Sequence, residues 1–251
     1  MMRTLLVRGM LVGLAAAVLA LVFAWVFGEP QVGHAIAFED SRDKLAGLAP
    51  EPEIVSRGVQ KTWGLAIGIG VFGVALGGLF SIAFAIAYGR IGNFGARATS
   101  ALVAAGAFVS VEVVPMLKYP ANPPSVGNPD TIGKRTILYL AVIAIGIIVS
   151  IIAVQIGRRL APRYGNWNAA LIATAVFIAL VAIAYIALPG INEVPAGFPA
   201  EVLWRFRLAS LGIQAVLWTT LGLGFGALTE RGLANARRVR PDPAPRPATP
   251  A

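Results

Sequence analysis

The chain has 251 residues, of which 57% are hydrophobic and only 13% charged, about half the charged share of an ordinary soluble domain. With a mean hydropathy of +0.74 that comes from long uncharged runs, this excludes a water-soluble globule and points to a polytopic membrane protein. The absence of cysteine excludes disulfides, thiolate metal sites and cysteine nucleophiles, and the single histidine, His34, excludes a multi-imidazole zinc site within the chain.

Six runs are long enough to cross a bilayer: Gly9 to Gly28, Thr62 to Gly89, Ala98 to Leu117, Thr136 to Gly157, Trp167 to Leu188 and Leu208 to Thr229. About 20 residues at about 1.5 Å per residue span the hydrocarbon core, so an all-α bundle of six transmembrane helices is predicted. The third run carries Glu112 and Pro115; if it is re-entrant, five spans remain. The first run follows Arg3 and Arg8 but exceeds the core of a signal peptide, and no small-x-small cleavage site ends it, so it is read as a span.

Basic residues set the orientation. Arg3 and Arg8, Arg90 and Arg97, Arg158, Arg159 and Arg163, and the arginines after Arg231 share one side at higher density than the lysines and arginines of the opposite loops. That places both termini in the cytoplasm. Of the acids only Glu230 and Asp242 fall on the inner side, so the net charge of +9 reads as a topology signal with anionic lipid as partner, not nucleic acid. Trp25, Trp63, Trp204 and Trp167 lie near predicted membrane boundaries, whereas Trp218 sits inside the sixth span. The membrane domain is expected to cover residues 1–231, followed by a disordered, basic, proline-rich cytoplasmic tail over 232–251.

Glycines four apart, at Gly9 and Gly13, Gly64 and Gly68, Gly73 and Gly77, and Gly222 and Gly226, are expected to let helix backbones approach closely. The outer loops carry the chemistry. The first, from Glu29 to Lys61, brings Glu29, His34, Glu39 and Asp40 within twelve residues, a donor set suited to a borderline divalent cation, or else a solvated acidic loop; a short interfacial helix is expected to begin near Ile36. Glu112 is an ionisable group inside a span, which is costly unless it is paired, hydrated or functional. Met116 lies one helical turn above it and Pro115 frees the carbonyl of Val111, so the three form a cation waypoint; the competing reading has Glu112 snorkelling or paired with Lys118. The proline-rich loop after Lys118 presents Asn122, Asn128 and Asp130 as a stiff entrance lid or a plug. In the last outer loop Glu193 and Glu201 are candidate partners for Arg205, Arg207 or a metal. The candidate metal-binding residues are thus Glu29, His34, Glu39, Glu112, Met116, Asp130 and Glu193. No P-loop and no H-E-x-x-H are present, and no catalytic triad suggests itself, so an enzyme is not expected.

The segments "RTLLVRGMLVGLAAAVLALVFAWVFGEPQVGHAIAFE", "SVEVVPMLKYPANPPSVGNPDTIGKRTILYLA" and "LPGINEVPAGFPAEVLWRFRLASLGIQAVLWTTLGLGFGAL" together resemble the CbtA family of cobalt transporter subunits, over nearly the whole membrane region to about Arg231. The resemblance implies an inner-membrane permease subunit for cobalt(II) uptake, linked to cobalamin biosynthesis, without a cofactor of its own. It also implies a second, small cobalt transporter subunit as partner, with a single span and a histidine-bearing terminus. The family is usually described with five spans. The alternative to transport by this chain is a membrane scaffold that positions the partner.

Overall fold

A computed structural model describes residues 2–48 and 54–239, with side chains described as far as residue 235. Five of its helices are long and apolar enough to cross a membrane. We label them α1 (Met2–Leu45), α2 (Arg57–Ala87), α3 (Ala96–Lys118), α4 (Ile132–Ala187) and α5 (Ala200–Val239). No strand occurs among the described residues.

Helix α1 corrects the expected first loop. The chain stays helical beyond Gly28 to Leu45, so Glu29, His34 and Glu39 sit on an extension of α1 and not on a loop, and no separate interfacial helix starts near Ile36. The π-helical turn Ala24–Gly28 explains why Pro30 does not stop the helix. There the N–H of Glu29 reaches back five residues to the carbonyl of Ala24, and the missing N–H of Pro30 falls in the first turn of the next segment. Helix α3 repeats the device, with a π turn at Phe108–Val113 just before Pro115. The third run is therefore one continuous helix from Ala96 to Lys118.

The fourth and fifth predicted runs lie in one long helical stretch, α4, which is interrupted at Gly165 (φ 76°, ψ 160°). This is a left-handed backbone conformation that glycine adopts without a Cβ penalty. The chain reverses there. A Cβ placed on Gly157 would stand 3.3 Å from the Cβ of Ala173, although these residues would be about 24 Å apart on a straight helix. Helix α4 is thus a hairpin of two arms, and its second arm ends beside the Lys118 end of α3. Lys118 Nζ donates to the carbonyls of Tyr185 (2.7 Å) and Leu188 (2.9 Å) there, and the Tyr185 hydroxyl donates to the carbonyl of Val114.

The glycine spacing sets the α1–α2 contact. Gly9 faces Gly77 and Gly13 faces Gly73 so closely that a Cβ at any of the four would enter the van der Waals envelope of the opposing backbone or side chain. Of the other pairs, Gly222 and Gly226 lie against Ala104 and Ser100 of α3, where Ser100 Oγ donates to the Gly222 carbonyl at 2.7 Å, while Gly68 meets nothing within 4 Å. Helix α5 packs on both α1 and α3, and the resulting core is aromatic. Phe225 meets Phe80 and Phe84 edge-on at 5.4 Å and 5.1 Å, and Trp218 meets Phe80 at 6.3 Å. The α4 hairpin joins through Gly146 against Ser110 and a Ser110–Ser150 hydroxyl contact of 2.6 Å.

A small second core caps the end of the bundle where the α3–α4 and α4–α5 connections meet. Ala35 and Phe38 of the α1 extension meet Val126 of the α3–α4 connection and Phe198 of the α4–α5 connection, with Phe38 and Phe198 edge-on at 5.1 Å. Helix α5 continues past the expected domain boundary at 231, and residues 240–251 of the expected tail lie outside the described residues.

Candidate functional site

The cap covers a cavity of about 480 Å³ between α3, the first arm of α4 and α5. Helix geometry orders its walls by depth. On α3, Glu112 and Met116 rise toward Lys118, with Tyr119 just past the helix end; on α5, which runs the other way, Arg207, Leu211 and Gln214 descend from that level. Arg135, Thr136 and Tyr139 of α4 line the third side, and the connections contribute Asn122, Asn192 and Glu193 at the mouth.

Glu112 lies at the inner end of the α3 series. It is 9% exposed, and its Oε1 accepts a hydrogen bond of 3.2 Å from the indole N–H of Trp218. The π turn widens α3 at this residue, as π turns often do at functional positions. Neither competing expectation describes Glu112. It faces a cavity and not lipid, and Lys118 is engaged with the α4 carbonyls. Met116 lines the same cavity, as its spacing implied. Gln214, one turn outward from Trp218 on α5, also lines it, and its Oε1 is buried without a hydrogen-bond partner.

The mouth is held by an ion pair and a set of hydrogen bonds. Glu193 Oε2 lies 3.5 Å from Arg135 Nε and accepts from the Asn128 N–H at 2.8 Å, and Oε1 accepts from the Thr131 hydroxyl at 2.6 Å. The Thr131 hydroxyl first, then the Asn128 N–H, and then the Arg135 charge hold the Glu193 carboxyl below its ordinary pKa. Arg207 ties down the neighbouring chain through the Ala121 carbonyl (3.3 Å) and Asn122 Oδ1 (2.9 Å). Both guanidinium groups of the cavity therefore bind the segments that close it.

The expected partnerships of the last loop are thereby partly corrected. Glu201 pairs with Arg205 at 2.6 Å, but Glu193 pairs with Arg135, which sequence separation concealed. The remaining candidates stand apart from the cavity. Glu29 binds Arg57 at 2.5 Å, His34 is exposed and Glu39 half-buried on the α1 extension, and Asp130 is exposed, its N–H capped by Asn128 Oδ1 at 3.0 Å. Among the described residues no three histidine or acidic side chains converge as a metal site. Arg135, Tyr139, Arg207 and Gln214 were not singled out as cavity residues by sequence. Gln214, a polar side chain inside a predicted span, carried a signal that could have found it, as did the misplaced Trp218.

A family model described as probable cobalt transporter subunit (CbtA) matches residues 2–230. The chain belongs to the CbtA family. No curated protein and no solved structure matches it. The CbtA match covers α1 to α4 and most of α5, together with the α3–α4 and α4–α5 connections and the residues that line the cavity between them.

Proposed function

We propose that this CbtA chain is the permease subunit of a cobalt uptake system, and that the outer cavity receives the ion and delivers it to Glu112. The observation that carries the reading is a single carboxylate in the membrane interior, facing a cavity and oriented by an indole N–H. An acid at such depth is expensive in lipid and is characteristic of ion pathways. Met116 and Glu193 belong to the same route, with Glu193 at the mouth and the thioether one turn above Glu112. Glu39 and Asp130, on the outer surface, act as collecting charges, with the His34 imidazole as a nitrogen ligand, and Glu29 serves with Arg57 to fix the α1 extension.

In this reading the α4 hairpin crosses twice, giving six crossings in the cytoplasmic membrane with both termini inside. Basic density on the inner side and the reversal at Gly165 support that arrangement. A small single-span partner with a histidine-bearing terminus completes the system and supplies the imidazoles this chain lacks, and the imported cobalt serves cobalamin synthesis. The test is cobalt accumulation by cells expressing the native chain or Glu112→Gln at matched membrane levels. The reading predicts a loss of at least about tenfold, as expected when a charged group in a desolvated site is neutralised. Undiminished uptake would remove Glu112 from the pathway.

A further inference from the structure

A bare transition-metal ion takes four to six donors at close range. The cavity offers one acidic side chain free of an ion pair, Glu112, with one of its oxygens engaged by Trp218. The side-chain oxygens of Tyr139, Ser210 and Gln214 and the thioether of Met116, which also line the cavity, are neutral donors. No cluster of three acids or histidines supplements them among the described residues. Arg135 and Arg207 line the cavity as well, but both guanidinium groups are engaged at the mouth, by Glu193 and by the Ala121 and Asn122 oxygens. The space, by contrast, is generous. A volume of about 480 Å³ holds roughly sixteen waters at about 30 Å³ each, room for an ion with its six first-shell waters and part of a second shell.

Resting on the permease reading, we infer that the cavity binds the divalent cation with its water shell retained, Glu112 and Gln214 accepting hydrogen bonds from bound water and not coordinating the metal. This is the mode by which protein sites hold strongly hydrated cations through one or two carboxylates. Two acceptors on facing helices, α3 and α5, suit an octahedral hydrate, whose water protons point outward in several directions. Gln214 becomes a specificity residue in this arrangement, since its amide lines the cavity on the helix facing Glu112 and its oxygen has no partner within the protein. Loss of the water shell is then left to a later step of the route.

The test uses a cation that keeps its ligands. Cobalt(III) hexaammine has six N–H-bearing ligands that do not exchange during a binding measurement, so it binds only through hydrogen bonds from its shell. Purified full-length protein is titrated with cobalt(II) in equilibrium dialysis, with and without the hexaammine complex. The expected result is displacement of cobalt(II) by the complex. Both affinities should fall at least about tenfold in Glu112→Gln and roughly twofold to tenfold in Gln214→Leu, and bound cobalt(II) should keep the weak visible absorption of an octahedral aquo ion. Glu112-dependent cobalt(II) binding that the complex fails to displace would overturn the inference while leaving the permease reading intact. So would an intense tetrahedral or sulfur-ligated spectrum. Cobalt(II) binding that ignores Glu112 altogether would overturn both. Thermal unfolding of each variant, compared with the native chain, separates loss of binding from loss of fold.

Discussion

The indole N–H of Trp218 on α5 donates to Oε1 of Glu112 on α3 at 3.2 Å, between residues 106 positions apart in the chain. Both side chains are buried. The indole also packs edge-on against Phe80, so the carboxylate is oriented by a group that is itself fixed in the aromatic core. A buried acid with one good donor and one oxygen left over is held in orientation while an acceptor stays free.

Trp218→Phe keeps most of the ring packing and removes the donor. Loss of one hydrogen bond to a carboxylate is expected to destabilise the protein by about 1–3 kcal/mol and to lower cobalt uptake. Uptake by the double variant with Glu112→Gln should match Glu112→Gln alone, because the indole acts through the carboxylate. Additive losses in the cycle would show that Trp218 serves the route independently.

The facing glycines of α1 and α2 give a sharp stability contrast. Gly13→Val drives a side chain into the Gly73 backbone and should destabilise by about 1–3 kcal/mol or more. Gly68→Ala, with open space around the position, should be neutral or stabilise by up to about 1 kcal/mol through helix propensity. Thermal unfolding in detergent reads both. Equal behaviour of the two variants would contradict the close α1–α2 packing.

Much of this architecture is legible in sequence, and the parts that were not share a cause. Hydropathy runs report the lipid-facing surface, so α2 and α3 emerge with nearly correct bounds, while α5 extends beyond its run at both ends and two runs share the helical stretch of α4. The α1 extension does not emerge, because Pro30 and Gly33 read as loop signals, whereas the π turn before Pro30 and the burial of Ala35 against Val126 and Phe198 keep it helical. The depth of Glu112 and its neighbour Met116 followed from helical spacing alone. Its partner did not, since nothing local links residues on α3 and α5, and Trp218 registered only as a tryptophan away from the interface. Arg135 and Arg207 read from sequence as loop charges, and their role in closing the cavity depends on carbonyls and distant side chains that no residue pattern encodes.

The mouth should respond to acid. Because the Glu193 pKa is lowered from its ordinary 4.5 in the folded protein, its contribution to holding the cap is fully present above about 4.5 and is lost as the pH falls through the depressed folded value. Hydrogen exchange in residues 190–199, taken relative to the intrinsic amide rate at each pH, should therefore stay slow at neutral pH and accelerate only below about pH 4.5. In Glu193→Gln it should be faster throughout and lack this acid-dependent component. An exchange rate in the native chain that rises between pH 7 and 5 would assign the latch to another group.

Chain direction at the α4 hairpin can be read directly, because the native sequence has no cysteine and single-cysteine variants need no background removal. A cysteine replacing Tyr164, beside the Gly165 reversal, should react with a membrane-impermeant thiol reagent only in inverted vesicles. One replacing Asn192 should react from outside in intact cells. Labelling of both positions from the same side would exclude a hairpin that crosses twice.

Flux through purified protein in liposomes addresses the central claim with fewest intermediaries. With a cobalt-quenched fluorophore inside the vesicles, the native chain should quench the signal at a rate that saturates with external cobalt. Glu112→Gln at the same protein density should quench no faster than empty liposomes. Rapid, saturable entry through the Glu112→Gln protein would contradict the account, leaving the cavity as architecture and the route elsewhere.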